Sequence, residues 1–338
     1  MHEPAASAGR HAITRPAPPA AGAAAQLARR RAFVRRVALV CAVLVLVITS
    51  LSAFIRLSRA GLSCVPQPQC YGQALRELQQ GLPATLADSP AITAARMAHR
   101  VTATAALLLV VLMVITCLSE RPVLWREGRV ALLLLALALL LALLGRWSGN
   151  ARVPAVAIGN LLGGFAMFAL CCGLARGRAA AVAPWLRVWA GLGVAVLLAQ
   201  VALGGLVSAS HAATSCSGLA DCIAASGAVP WNALDPWREP VLSATPPHNA
   251  WGALAQAAHR VSALLVLLVL LPLGLAALRG GRRAAGALLL ALLVAEVAVG
   301  WLMGPPGLPA ALAHNLLGAL LLATTFALAR GADELTPA

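Results

Sequence analysis

Long apolar segments constrain this chain more than any other feature of its sequence. Several windows of about 20 residues carry no charge, and about 20 apolar residues of α-helix cross the hydrocarbon core of a bilayer. Of the 338 residues, 60% are hydrophobic and 11% are charged. A soluble domain of this length needs a far more polar surface. The sequence therefore predicts an all-α integral membrane protein with eight spans, at roughly 37–57, 92–118, 130–147, 154–175, 185–208, 249–278, 284–303 and 309–329.

The arginines are distributed unevenly among the segments that join these spans. All 26 basic residues are arginine, and most lie before the first span or after the second, fourth, sixth and eighth. Because cytoplasmic loops carry the excess of basic residues, both termini are expected in the cytoplasm. The net charge of +15 then reflects topology, and no nucleic-acid partner is expected. Residues 1–33, rich in Ala, Pro and Arg, predict a disordered tail, and residues 331–338 a second cytoplasmic tail.

Four of the eight cysteines fall on loops of the predicted outer face. Cys64 and Cys70 lie on the first outer loop, and Cys216 and Cys222 lie on the third, with five residues between the members of each pair. That face meets an oxidising compartment, which favours a Cys64–Cys70 and a Cys216–Cys222 disulfide. Free thiols or a metal-binding pair are the alternatives, although no histidine lies between the cysteines of either pair.

The two halves of the chain repeat each other. His99-Arg100-Val101 returns as His259-Arg260-Val261, and both cysteine pairs have the same spacing. Because each half has four spans, both halves have the same orientation, as in a parallel repeat. We expect two four-helix bundles side by side, comprising residues 34–178 and 179–330.

The repeat has a constant offset of 155 residues near the end of each half. It relates Gly145 to Gly300, Pro154 to Pro309, and the sequence GNLLGG at 159–164 to HNLLGA at 314–319. His314 therefore aligns with Gly159. The N-terminal half keeps His99 and Arg100 but has no counterpart of His314.

The C-terminal half carries two histidines inside predicted spans, at similar depth. Two imidazoles from facing helices of a bundle can ligate the iron of a macrocycle between them, so His259 and His314 are candidate haem ligands. Arg260 could then pair with a haem propionate. The alternative is that each histidine bonds a neighbouring helix. Glu296 is the only carboxylate inside a predicted span, so it is either a functional acid or a side chain bonded within the bundle.

Two further histidines lie near the outer ends of the fifth and sixth predicted spans. His211 and His248 are read as residues of the membrane interface, with a weaker prospect of contact with a propionate.

Several segments together resemble the haem A synthase family. RLSRAGLSCVPQPQC (56–70) is similar to that family's first outer loop, and AQVALGGLVSASHAATSC (199–216) to its fifth span and the loop that follows. The two His-Arg motifs and the late histidine His314 also match. The resemblance covers about residues 45–325.

The resemblance implies a membrane oxidoreductase that converts haem O to haem A by oxidising a ring methyl to a formyl group, for terminal oxidase assembly. It implies two four-helix bundles in the bacterial inner membrane, with haem b on His259 and His314 and haem O as the substrate near His99. His99 is then the candidate catalytic residue, and Arg100, like Arg260, is a candidate haem-binding residue. The resemblance also implies a Cys64–Cys70 disulfide, and it leaves haem O synthase, oxidase assembly factors or a homo-oligomer open as partners.

The N-terminal half departs from the family pattern at three positions. Arg96 stands where the family has a glutamate, Gly159 where it has the second substrate histidine, and Gln67 where a tryptophan is common. An arginine cannot act as a base at neutral pH. A non-catalytic haem b protein of the same fold is therefore the alternative function, with a role in haem carriage, oxidase assembly or electron transfer. A transporter, suggested by the parallel repeat and Glu296, is a third.

Overall fold

The computed structural model describes residues 21–62, 70–82, 89–148, 152–177, 182–302 and 307–331. These ranges contain helices and turns but no strand. Eight of the helices are long and apolar enough to cross a membrane, which confirms the predicted fold class and the eight spans. The helices are α1 (Ala21–Ala60), α2 (Gln73–Gln79), α3 (Pro90–Leu118), α4 (Trp125–Ser148), α5 (Pro154–Arg176), α6 (Pro184–Ala209), α7 (Leu219–Ser226), α8 (Gly252–Arg279), α9 (Arg283–Leu302) and α10 (Leu308–Ala329), with a 3₁₀ turn at Trp231–Leu234.

The first helix begins well before the predicted span. The prediction of a disordered tail over residues 1–33 is wrong for residues 21–33, which form the first turns of α1. Alanine, the strongest helix former, is frequent there. Arg30 also binds the end of α3, since its Nη2 donates to Thr116 O at 2.7 Å and its Nε lies 3.3 Å from Glu120 Oε2. Residues 1–20 and 332–338, predicted to be tails, lie outside the described residues.

Proline opens four of the long helices. It occupies the first or second position of α3, α5, α6 and α10. The first turn of a helix has amides without intrahelical acceptors, so the missing N–H of proline costs nothing there. Ser89 caps α3 as well, because its hydroxyl accepts the amide of Ile92 at 3.3 Å.

The helices pack in the same cyclic order in both parts of the chain. In the first part α1 contacts α3, α3 contacts α4, α4 contacts α5, and α5 returns to α1. In the second part α6, α8, α9 and α10 contact one another in the corresponding order. The two sets meet where α1 and α5 contact α6 and α10.

Glycine permits the closest approach between α8 and α9. A carbon added to Gly286 would lie 2.7 Å from the carbonyl oxygen of Gly274 and 2.8 Å from the amide of Leu278. Small residues at such crossings let helices pack by direct backbone contact, which matters in a membrane because lipid tails are as apolar as leucine.

The two sets of helices also interlock through their longer connections. We call the end of the molecule that carries residues 61–62, 70–82 and 210–251 the long-loop end. Here the amide of Ala155, at the start of α5, donates to Pro236 O at 2.8 Å, and Gln79 Nε2 of α2 donates to Pro240 O at 2.7 Å. The segment that follows the 3₁₀ turn therefore bridges both halves of the chain.

Candidate functional site

His259 and His314 face each other near the long-loop end. His259 lies about two turns into α8 and His314 about two turns into α10. Their ring centroids are 6.2 Å apart and the ring planes are nearly perpendicular, at 87°. The two histidines that the sequence places at similar depth are thus adjacent in space.

Helix α6 holds His259 on one side. A carbon added to Gly204 would lie 2.9 Å from Cε1 of the His259 ring, so the ring packs directly on the α6 backbone. Gln200, one turn earlier on α6, donates from Nε2 to His259 O at 3.1 Å. The hydroxyl of Ser262 donates to both Gln200 Oε1 and His259 O. These contacts fix the height and rotation of α8 at the histidine.

Helix α9 holds His314. Glu296 Oε1 lies 3.2 Å from His314 Nδ1, and the two side chains are 18% and 30% exposed, respectively. A carbon added to Gly300, one turn further along α9, would lie 3.8 Å from His314 Cε1. The imidazole therefore rests between a carboxylate and a glycine of the same neighbouring helix.

The polar atoms of this pair lack ordinary hydrogen bonds. Nδ1 of His259 is buried without a well-aligned hydrogen bond, although the ring lies close to the backbone of Gln200, and Nδ1 of His314 has only the nearby carboxylate, without hydrogen-bond alignment. Buried polar atoms of this kind usually find a partner, and exceptions mark functional sites. A ligand that bound the two imidazoles would give these polar side chains a partner.

The spacing of the rings fits a metal between them. A metal bound by two opposed imidazoles makes two bonds of about 2 Å, which with the ring radii separates the ring centres by about 6 Å. In the part of the chain that the structure describes, no three His, Cys, Asp or Glu side chains gather into a metal-binding group. A pair of imidazoles without further protein ligands suits an iron whose equatorial ligands come from a macrocycle.

Arg260 lies beside the pair but binds protein in this structure. Its Nη1 donates to Ser217 O at 3.4 Å, a long contact on the exposed side. Ser217 is also held by Asp221, and Cys216 and Cys222 are joined by a disulfide across this short segment.

The first cysteine pair is only partly visible. Cys70 is disulfide-bonded in the structure, whereas Cys64 lies outside the described residues. The remaining cysteines, Cys41, Cys117, Cys171 and Cys172, are free.

The corresponding region of the N-terminal half holds a different set of groups. His99 and Arg96 are half-buried on α3, and Arg100 is exposed. Gly159 on α5 faces Leu144, whose Cδ1 would lie 3.3 Å from an added carbon. The structure therefore sets an apolar contact where the C-terminal half has an imidazole.

A second polar cluster at the long-loop end was missed by the sequence analysis. His248 is fully buried, which corrects its interpretation as an interfacial residue. Its Nδ1 lies 3.3 Å from Arg76 Nη1, and its ring centroid lies 6.2 Å from that of Tyr71. The ring centroid of His211 lies 5.7 Å from that of Tyr71, with the ring planes tilted by 60°, and the His211 backbone is left-handed at φ 56°. The cluster joins loops that are far apart in sequence, so no local sequence pattern predicts it.

Burial controls the ionisation of this cluster. It lowers the pKa of His211 to about 4, with the positive charge of Arg76 adding to the effect, and it raises the pKa of the Tyr71 phenol. Both groups are neutral at pH 7. Arg76 brings a positive charge to this cluster, and its Nη1 also donates to Tyr71 O at 2.7 Å.

Eight apolar helices with two facing imidazoles define a polytopic membrane protein with a candidate haem-ligating centre. The sequence profile of the COX15-CtaA family, described as cytochrome oxidase assembly protein, matches residues 35–326. The chain belongs to this family. The resemblance inferred from its motifs is confirmed at the level of the family.

One relative connects the family to haem chemistry. The Heme A synthase of Shewanella oneidensis is 30% identical over 195 residues, which make up 53% of this chain and 58% of that protein. The chain thus matches little more than half the length of this relative. Haem-related cofactors or substrates are implied for the family.

Gly204 offers a test of the site that leaves both histidines in place. Gly204→Ala inserts a methyl group 2.9 Å from the His259 ring, which must move. We expect purified Gly204→Ala protein to bind clearly less haem per chain than the unaltered protein, measured by pyridine haemochrome absorbance. Gly191→Ala, on the same helix with nothing within 4 Å of the added carbon, is the matched control and should bind the normal amount. Equal haem content in both variants would argue against the position of the ring.

Proposed function

We propose that this protein is a haem A synthase-type membrane oxidoreductase that binds haem b through His259 and His314. The proposed reaction oxidises a methyl group of haem O to the formyl group of haem A, for terminal oxidase assembly. The observation that carries the proposal is the facing pair of imidazoles, with its 6.2 Å spacing and its buried nitrogens. Family membership and the matched Heme A synthase support the reaction type.

The residues of the C-terminal half suit a bound haem. His259 and His314 would hold the iron, and Arg260 would neutralise a propionate after leaving Ser217 O. Haem supplies one-electron redox chemistry when bound. The protein's own contribution is to orient the rings through Gly204 and Glu296 and to keep lipid away from them. Residues 34–178 and 179–330 are the proposed substrate and haem b bundles, which the cyclic helix contacts support.

A haem O site in the N-terminal half would lack groups that the family pattern contains. His99 offers a ligand from one side, but Gly159 offers none from the other. Arg96 brings a cation where the pattern has a carboxylate. These observations favour the second candidate, a haem b protein of the same fold without haem O turnover, acting as a carrier, an assembly partner or an electron-transfer subunit.

The first prediction concerns the haem ligands. His259→Ala or His314→Ala should abolish the reduced-minus-oxidised bands of a low-spin b-type haem, because one imidazole cannot maintain six-coordination. His99→Ala should retain those bands, since it lies in the other set of helices. Circular dichroism and gel filtration check that each variant folds. If both C-terminal variants keep the full bands, the assignment of the ligands is wrong.

The second prediction concerns topology and the cysteines. We propose an inner-membrane location with both termini cytoplasmic, so that the long-loop end faces the oxidising side. Cys64–Cys70 and Cys216–Cys222 should then both be disulfides. Each closes a short loop and should stabilise the fold by about 2–3 kcal/mol. Peptide mapping without reductant should recover both crosslinks, and alkylation of all four thiols in intact membranes would contradict the bonds and the orientation.

The third prediction concerns haem O turnover. In cells that make haem O, we expect this chain to form much less haem A than a family member with both substrate histidines, because a haem held from one side can tilt and small displacements reduce catalysis strongly. The double variant Arg96→Glu, Gly159→His should raise haem A in extracted haems, provided Leu144 shifts by a few tenths of an ångström. Gly159→Ala adds bulk without a ligand and is the control.

The outcome that contradicts this prediction is also specific. Strong haem A formation by the unaltered chain, unaffected by His99→Ala, would place the chemistry outside the N-terminal half.

A further inference from the structure

Glu296 is a carboxylate within the membrane-spanning part of α9. Its side chain is 18% exposed, with Oε1 3.2 Å from His314 Nδ1 and Oε2 buried without a hydrogen-bond partner. An acidic side chain at such a position is costly unless a specific partner compensates it. The imidazole of His314 is the polar group that the structure provides.

The internal repeat shows that this carboxylate accompanies the histidine. At the offset of 155 residues, Glu296 corresponds to Leu141 and Gly318 corresponds to Gly163. A carbon added to Gly163 would lie 2.6 Å from Leu141 Cδ2, and one added to Gly318 would lie 3.5 Å from Glu296 Oε1. Both halves therefore use the same contact between the third and fourth long helices. The half with the imidazole has a carboxylate there, and the half with Gly159 has leucine.

The surroundings of Glu296 favour a strong interaction. The carbon added to Gly318 would also lie 3.6 Å from Phe165 Cε2, an aromatic ring that α5 contributes from the other set of helices. Phe165 is 2% exposed and limits access of water on this side. Charge interactions are stronger in such apolar surroundings than at a wetted surface.

We propose that Glu296 is a positioning residue that accepts the Nδ1 proton of His314 and thereby presents Nε2 to a haem iron. A histidine that binds a metal through one nitrogen commonly donates the N–H of the other to a carboxylate, which fixes the tautomer and raises the basicity of the ligand. A carboxylate charge at Glu296 would favour the ferric over the ferrous state. The inference rests on the proposed haem function, and it concerns the role of Glu296 in tuning that site.

The test is the midpoint potential of the haem in the purified full-length protein. Glu296→Gln keeps the size of the side chain and removes its charge. At a fixed solution potential, we expect the ratio of reduced to oxidised haem to rise about tenfold, which is about 59 mV for one electron. Glu296→Asp keeps the carboxylate, so its ratio of reduced to oxidised haem should stay closer to that of the unaltered protein. Glu239→Gln, which removes a 37%-exposed carboxylate paired with Arg152 at the long-loop end, is the control and should not change the ratio.

Each outcome decides one question. A Glu296→Gln protein with full haem and the potential of the control overturns the inference but leaves the haem site standing. If Glu296→Gln loses haem and Glu296→Asp retains it, a carboxylate at this position is required for haem binding, which supports the inference. If both variants fold and both lose haem, a carboxylate alone is not sufficient, and the inference is overturned. Absence of haem from the unaltered protein overturns the proposed function itself.

Discussion

The structure depends on the rule that a polar group inside a bilayer must find its partner within the protein. Hydrocarbon offers no hydrogen bonds, so a buried imidazole or carboxylate without a partner is costly. His259, His314 and Glu296 converge from α8, α10 and α9, and the Glu296 carboxylate lies 3.2 Å from the His314 ring. Two nitrogens still lack an ordinary hydrogen bond. The arrangement is therefore better suited to holding a ligand than to stabilising an empty bundle.

The two halves illustrate how one helical scaffold carries different chemistry. Both bring their third and fourth long helices together at a glycine, Gly163 or Gly318, and both open the fourth long helix with a proline at its first or second position. At this contact the two halves differ in a few side chains. Replacing an imidazole by Gly159 and a carboxylate by Leu141 removes the polar centre without changing the order of helix contacts. Packing and chemistry thus vary separately in this fold.

The sequence predicts the spans and the histidine pair but not the contacts around that pair. Runs such as 101–118 have the length and composition of an α-helix that crosses a bilayer. His259 and His314 lie at similar positions in their predicted spans, so the sequence also predicts that they lie at the same depth. The prediction of disorder from composition is wrong at residues 21–33. This Ala- and Arg-rich segment forms the start of α1 and contacts the end of α3. Helices that face lipid are apolar on every side, so their sequences do not show which face turns inward. That is why the contacts of Gly204 with His259 and of Glu296 with His314 needed the structure.

The long-loop end explains how the site is held in register. The haem ligands proposed here lie only about two turns from this end, so the start of α8 and the start of α10 must be fixed in position. The buried Asn249, just before α8, donates from Nδ2 to Ser210 O at 2.6 Å and accepts the amide of Gly252 at 3.0 Å through Oδ1. His248 and Arg76 join the same region to the first long loop. The polar cluster that the sequence did not reveal therefore acts on the site through the start of α8, while α9 positions the second imidazole from within the membrane.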